Sequence, residues 1–261
     1  MACFIGIDIG SMYSKGVIVE DGKLCAYHVI PSGANYQVTA GKIKEELLVQ
    51  ANLLQDNISG IVATGVGAED VPFAHKKISD YICTARGINN IFPAARAIVD
   101  VAGLAMKVIE INERGMVINF LSSEKCAAGS GRFISVIAKV LRIKLEDFGA
   151  LSLKSRNPVN FSTGCAVFAE TEAITRISEG VAKEDIAAGA NRQLADKAYS
   201  MLKRIKLERQ CAICGGGALN IGFVRSLEDK LKMQLLVPPK PQIVTAIGAA
   251  MMAQVAGEIT I

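Results

Sequence analysis

Two stretches decide how this chain folds: IGIDIGSMYSKGVIVEDGKL at residues 5–24 and AIVDVAGLAMKVIEINERGM at residues 97–116. Each reads as a strand, a tight turn containing glycine, and a second strand. Asp8 and Lys15 stand seven residues apart in the first, as do Asp100 and Lys107 in the second, and both residues recur at an offset of 92. One Asp in a hairpin is unremarkable. A shared Asp–Lys spacing at a single offset points to an internal duplication.

Working outward, each copy leads into further strands, CAYHVIP (25–31) and MVINFLS (116–122). Longer segments follow with apolar residues near a 3.6-residue period, KIKEELLVQANLLQD (42–56) and 183–206. Strands alternating with helices predict an α/β layer structure, here as two similar subdomains facing each other. The expected bounds are 1–96 for the first subdomain and 97–240 for the second, with 241–261 returning to the first as a helix. Within that last segment IVTAIGAAMMAQVAG (243–257) is too short and too small in its side chains to cross a bilayer, so a tightly packed core helix is expected.

Composition narrows the class. A formal charge of +4, with no Lys/Arg cluster interleaved with aromatics, argues against a nucleic-acid partner. Half the residues are hydrophobic and tryptophan is absent, so the core is aliphatic. The opening MACFIGIDIG has no basic n-region and carries Asp8, which fits a buried strand rather than a signal peptide. Seven cysteines without an export signal imply a reducing, cytoplasmic setting, where thiols serve metals or catalysis more often than disulfides.

The repeated turns carry a chemistry of their own. A turn at Gly10, which lacks a Cβ, lets backbone N–H groups approach an anion. Ser11, Tyr13 and Ser14 add donors, and Lys15 adds a point charge suited to phosphate. Asp8 cannot bind phosphate directly, so a carboxylate there suggests Mg²⁺ held through water. A third turn, ICGGGALNIG (213–222), places Gly215, Gly216 and Gly217 between the short strand QCAIC and a helical segment. Three glycines at a strand-to-helix junction suit a flat ligand such as adenine lying on backbone. Two ordinary hairpins and a flexible loop would account for the same residues.

Two cysteines stand in matched settings. SEKCAAGSGRF (123–133) puts Cys126 ahead of a glycine-broken loop and the helical pattern FISVIAKVLRIK, while FSTGCAVFAETEAITRI (161–177) puts Cys165 at a helix start. The other thiols read more plainly. Cys3 and Cys25 lie in strands and are expected in the core, and no role attaches to Cys83. Cys211 and Cys214 form CxxC, redox-active by spacing, but an extended strand would turn them to opposite faces. His28 and His75 do not combine into a metal site. The run RSLEDKLKM (225–233) reads as a solvated helix face.

The order IDIGS, VDVAG, GGGALN resembles the phosphate-1, phosphate-2 and adenosine motifs of the superfamily of actin, Hsp70 chaperones and sugar kinases. Within it, KCAAGSGRF with CAVFAETE resembles the ATP-dependent activators of 2-hydroxyacyl-CoA dehydratases and the ATPase subunits of benzoyl-CoA reductases. HKKISDYICTARG (75–87), PVNFSTGCAVFAETEAI (158–174) and PPKPQIVTAIGAA (238–250) extend the likeness along nearly the whole chain. The resemblance implies a duplicated actin-like ATPase (ribonuclease H-like) fold with a nucleotide cleft between its subdomains. It implies catalytic roles for Asp8 and Asp100, and ATP/ADP with Mg²⁺ bound by Gly10, Ser11, Lys15, Gly103, Gly129, Gly131, Gly215, Gly216 and Gly217. Gly129 and Gly131 are expected to let their loop reach the nucleotide.

The same resemblance makes Cys126 and Cys165 iron–sulfur ligands. A [4Fe–4S] cluster takes four thiolates, so a homodimer would supply both cysteines twice and hold one cluster per dimer on its axis. Helix N-termini would then face an anionic cluster, with free backbone N–H groups reaching its sulfurs. The implied activity is ATP-driven, low-potential electron donation to an iron–sulfur dehydratase- or reductase-type acceptor in anaerobic metabolism, without membrane or nucleic acid.

One departure bears on turnover. Such activators read DIGGQDSK at the second hairpin, whereas this chain reads DVAGLAMK (100–107), with Ala102, Leu104, Ala105 and Met106 replacing a glycine and three polar groups. Ala68 also stands where relatives carry arginine. These replacements predict nucleotide binding with slow hydrolysis. A regulatory nucleotide-binding subunit and a small-molecule kinase of the same fold are the alternative readings, and the kinase leaves Cys126 and Cys165 unexplained.

Overall fold

The computed structural model describes residues 2–123, 129–162, 164–205 and 210–258. The chain divides into two compact units. Unit 1 comprises Met1–Ala95, Ile111–Ile118 and Pro238–Ile261, and unit 2 comprises Arg96–Glu110 and Asn119–Val237.

Unit 1 is built on a five-stranded sheet of order β3-β2-β1-β4-β5. β1 (Cys3–Ile9), β2 (Tyr13–Glu20) and β3 (Lys23–Pro31) form an antiparallel meander, and β4 (Ile58–Thr64) joins β1 in parallel, with β5 (Lys76–Lys77) beyond it. The β2–β3 turn falls on Asp21 and Gly22, both at positive φ (48° and 77°), the twist that matches right-handed strands. Every residue of β1 is buried, because helices cover both faces of the sheet.

The alternation along β1 sorts the two faces. Ile5, Ile7 and Ile9 pack with Ile43 and Leu47 of α1 (Tyr36–Ala51). Phe4 packs with Ala249 and Ala253 of α8 (Val244–Glu258), beside α2 (Asp80–Ile91). Small residues let α8 lie close: a Cβ on Gly6 would stand 2.0 Å from the Ala246 carbonyl oxygen, and one on Gly248 would stand 1.7 Å from that of Cys83. Thr84 and Thr245 share a 2.8 Å hydrogen bond across the same α2–α8 seam.

The second sheet, β8-β7-β6-β9, repeats the plan. β6 (Ala97–Val101) and β7 (Met106–Ile111) form the antiparallel hairpin, β8 (Val117–Ser122) extends it, and β9 (Cys211–Cys214) lies parallel to β6. Five helices complete the described part of unit 2: α3 (Gly131–Leu141), α4 (Leu145–Ser152), α5 (Ala166–Ser178), α6 (Lys183–Leu202) and α7 (Ile221–Leu231). Phe133, Phe148, Ile186, Leu194 and Phe223 meet Val99 and Val101 in its core.

Several expectations shift. The helix expected over 42–56 starts earlier, because Asn35 accepts the Val38 N–H as N-cap, and ends at Ala51, because Asn52 turns left-handed (φ 53°, ψ 45°). The helix expected over 183–206 stops at Leu202. Cys3 is buried, but Cys25 is exposed and belongs to no core. In the RSLEDKLKM run Arg225 and Asp229 are solvated, yet Glu228 is tucked in and accepts the Leu235 N–H at 3.0 Å. Among the described residues no helix is long and apolar enough to cross a membrane.

The α2–α8 seam gives the first test. Gly248→Ala must push a methyl against a backbone carbonyl that cannot rotate away, and overpacking of this kind costs about 1–3 kcal/mol or more. Urea unfolding should show the loss, while Gly41→Ala, with open space around it, should not.

Candidate nucleotide site

The two hairpins place their polar residues alike. Asp8 pairs with Lys15 in the β1–β2 register, and Asp100 pairs with Lys107 in the β6–β7 register. In unit 1 the Lys15 Nζ donates to Asp8 Oδ2 at 2.8 Å, with both side chains largely buried. That lysine also sits over the first turn, 3.2 Å from where a Gly10 Cβ would be. An incoming cation or phosphate therefore competes for a charge pair already formed.

The parallel neighbours reveal an equivalence that the hairpins alone did not disclose. β4 ends at Thr64 opposite Asp8, and β9 ends at Cys214 opposite Asp100. The next residue in each case is a glycine at positive φ, Gly65 at 88° and Gly215 at 80°. A Cβ on Gly65 would lie 2.5 Å from Asp8 Oδ1 and 2.5 Å from the Ile9 carbonyl oxygen. On Gly215 it would lie 2.5 Å from Asp100 Oδ1 and 2.5 Å from the Val101 carbonyl oxygen. Gly67 and Gly217 then press on Ile9 and Val101, and short 3₁₀ turns follow, Ala68–Asp70 and Gly216–Leu219. So TGVG (64–67) and CGGG (214–217) are the same device at an offset of 150, twice folding a glycine turn over a strand-end aspartate. The shared G-x-G after a short apolar run was the available signal.

The Gly215 turn is held from beneath by a polar network. Asn191, fully buried on α6, donates to Ser152 Oγ at 2.8 Å and accepts from Asn220 Nδ2 at 2.8 Å. Asn220 in turn caps α7 through the Phe223 N–H. Gly222 is required there, since a Cβ would fall 2.0 Å from Ser152 Oγ. Beside the turn runs a groove of about 470 Å³, walled by Leu153, Ala218, Ile221, Val224 and Val237, with Arg225 and Glu228 also lining it. Its walls suit a flat apolar ring.

The second hairpin differs from expectation at its turn. The Ala102 N–H donates to the Ala105 carbonyl at 2.9 Å, and Leu104 projects to solvent. α3 begins at Gly131, with Ser130 rather than Cys126 as its N-cap. The N–H groups of Gly131 and Arg132 donate to the carbonyls of Ala102 and Gly103, both at 3.0 Å. Two of the donors expected to be free for a cluster at this helix start are thus taken by the hairpin. Gly129 and Gly131 lie close to Lys197 and to Ala102 respectively.

Cys165 is half-buried and occupies the N-cap of α5, whose first turn carries no acidic residue. Glu172, further along α5, accepts from the Ser162 N–H (3.0 Å) and Oγ (2.7 Å). Cys126 lies outside the described residues, and among those described no group of three or more His, Cys, Asp or Glu could hold a metal ion. Cys211 and Cys214 are fully buried in β9, and burial pushes the Cys211 thiol up to about 12, which favours the packing role over redox chemistry.

Twin hairpins, each with a glycine turn over its aspartate, define a duplicated actin-like ATPase fold. The chain belongs to the BadF/BadG/BcrA/BcrD ATPase family, whose model matches residues 5–253. It is 39% identical over 252 residues to the 2-hydroxyisocaproyl-CoA dehydratase activator of Clostridioides difficile, covering 95% of this chain and 94% of that protein. It is 36% identical over 255 residues to the activator of lactoyl-CoA dehydratase of Anaerotignum propionicum, covering 97% and 98%. Among solved structures, the activator of the 2-hydroxyisocaproyl-CoA dehydratase from Clostridium difficile with bound ADPNP superposes with a TM-score of 0.94, at 37% identity, over 99% of this chain and 96% of that one.

Comparing two glycines separates backbone strain from contact at the aspartate. Gly33→Ala, at φ 63° in open space, should lose only the left-handed penalty of roughly 1–2 kcal/mol. Gly215→Ala must also displace Asp100 and should lose clearly more in urea unfolding. Equal losses would show that the carboxylate yields freely.

Proposed function

We propose that this protein is an ATP-dependent activator that donates electrons at low potential to a dehydratase- or reductase-type iron–sulfur enzyme. The observation that carries the nucleotide half is the repeated Asp–Gly arrangement, Asp8 with Gly65 and Asp100 with Gly215. The ADPNP-bound relative supports it. The phosphates are assigned to the turns at Gly10–Ser11 and Ala102–Gly103, with Lys15 as cation and Asp8 and Asp100 orienting Mg²⁺ through water. The base is assigned to the Gly215–Leu219 turn and the apolar groove beside it.

Cys126 and Cys165 are the thiols assigned to a [4Fe–4S] cluster. A half-buried Cys165 at the start of a helix without acidic residues in its first turn suits an anionic group. One chain offers two such thiols, so the assignment requires a homodimer contributing four. The group's chemistry when bound is one-electron transfer; the protein's part is to present the thiolates and to bias them by nucleotide state.

Iron and sulfide analysis of protein purified without oxygen tests this half. Cys126→Ala and Cys165→Ala should each abolish iron binding and Cys211→Ala should retain it, with light scattering giving a dimer for the loaded protein. Normal iron in the Cys126 variant, or an iron-replete monomer, sinks the assignment.

Turnover is a separate matter. Hydrolysis needs a water held in line with the γ-phosphate and donors for developing charge. Leu104, Ala105 and Met106 offer no such group, and losing one commonly costs roughly 10²–10³ in rate. The protein alone should bind MgATP and turn it over slowly, whereas Leu104→Gln with Ala105→Asp should raise steady-state phosphate release at saturating MgATP. A brisk rate from the unaltered chain would refute this account of the hairpin.

A further inference from the structure

One polar atom beside Asp8 is left out of the bonding around it. Thr64 is fully buried at the end of β4, and its hydroxyl oxygen Oγ1 has no hydrogen-bond partner among the described residues. Burying a hydroxyl without a partner is unfavourable, and a group kept in that state calls for a water, an ion or a substrate to complete it. The register shows what it faces. Thr64 stands opposite Asp8 in the β1–β4 pairing, and Asp8 stands opposite Lys15 in the β1–β2 pairing. Phe4 and Val62 pack together against Cys83 of α2 and Ala249 of α8. Asp8 lies four residues beyond Phe4 and Thr64 two beyond Val62, so strand alternation puts both on that same face.

Lys15, Asp8 and Thr64 thus form a polar row across three strands. Asp8 Oδ2 accepts from the Lys15 Nζ at 2.8 Å, whereas Oδ1 is turned to the Thr64–Gly65 corner, 2.5 Å from where a Gly65 Cβ would be. The Cys83 thiol interacts with both Thr64 and Asp8 from the α2 side, and burial keeps it protonated, its pKa pushed up to about 12. A thiol is a weak donor and a weak acceptor, so it does not replace a full partner for the hydroxyl. Unit 2 fills the same place, opposite Asp100, with Cys214. Oxygen suits hard cations that keep their water and sulfur does not. The two copies therefore differ in the one atom that selects a hard partner, and unit 1 carries the oxygen.

We infer that Thr64 is a further binding residue of the Asp8 site, its hydroxyl accepting a hydrogen bond from a water of the hydrated Mg²⁺ that accompanies the nucleotide. The inference rests on the proposed nucleotide reading and deepens it by naming a second side chain for the cation beside Asp8. The fit is to the ion's waters rather than to the ion. Mg²⁺ keeps several waters and needs only one or two carboxylates, so a single aspartate with one neighbouring hydroxyl suffices. No cluster of three or more His, Cys, Asp or Glu is required, and none is found among the described residues.

Thr64→Val tests this, since it keeps the branched shape and removes only the hydroxyl. In the full-length protein without ligand, its urea midpoint should stay level or rise, because the lost hydroxyl had no partner. Calorimetry with a non-hydrolysable ATP analogue gives the second readout. In excess Mg²⁺ the Val variant should bind about threefold to tenfold more weakly than the unaltered chain, the range of one hydrogen bond. In EDTA the two should bind alike. Thr64→Ser, which keeps the hydroxyl, should bind as the unaltered chain does in Mg²⁺. Affinity in Mg²⁺ that is untouched by the Val change overturns the inference. So does equal weakening with and without Mg²⁺, which would put the hydroxyl on the nucleotide itself. A lowered urea midpoint for the ligand-free Val variant overturns it as well, by showing that the hydroxyl serves the fold. No binding by the unaltered chain would instead refute the nucleotide reading, and the inference with it.

Discussion

A carboxylate at the end of a buried strand is the constraint around which each half of this protein is arranged. Asp8 and Asp100 are both more than nine-tenths buried, where an unpartnered charge would be costly. Each is covered by a glycine turn that only a residue without a Cβ can make at that distance. The parallel strand carrying the glycine must then end level with the aspartate, which fixes the β1–β4 and β6–β9 registers. Helix packing follows, since sheets held in that register bury both faces and demand the small residues of α8 and the aliphatic faces of α3 and α6.

How much of this was legible in the chain depends on sequence distance. The hairpins could be read directly, because antiparallel pairing joins residues seven apart and the Asp–Lys spacing displays it. The equivalence of TGVG and CGGG could not be read the same way. β4 reaches β1 through a parallel pairing about fifty residues on, and β9 reaches β6 across more than a hundred, so the two glycine turns lie outside any local window. The bounds of helix α1 are a local signal of a different kind: the Asn35 and Asn52 caps set them, and the apolar period does not display caps. A strand-like pattern around Cys25 does not distinguish a central strand from an edge, and β3 is an edge strand that leaves this thiol exposed.

The helix start at α3 shows how a sound general argument can be redirected by a competing partner. Backbone N–H groups at a helix N-terminus do attract anions. Here the carbonyls of Ala102 and Gly103 reach two of them first. Carbonyl oxygens carry partial negative charge, so the same physics is satisfied within the fold, and the hairpin turn becomes tied to the helix that follows Cys126.

That tie changes the meaning of the replaced residues in DVAGLAMK. Judged by side chains, Leu104, Ala105 and Met106 present no polar group at the turn. Judged by backbone, Ala102, Gly103 and Met106 make four hydrogen bonds to the flanks of the Cys126 segment, and none of them needs a polar side chain on the hairpin. Chemistry and packing therefore place different demands on one turn: the first requires particular functional groups, the second only a fixed course of the chain. Selection could relax the first while keeping the second. The course of the turn is thus kept by backbone bonds that the side chains at 104–106 do not enter.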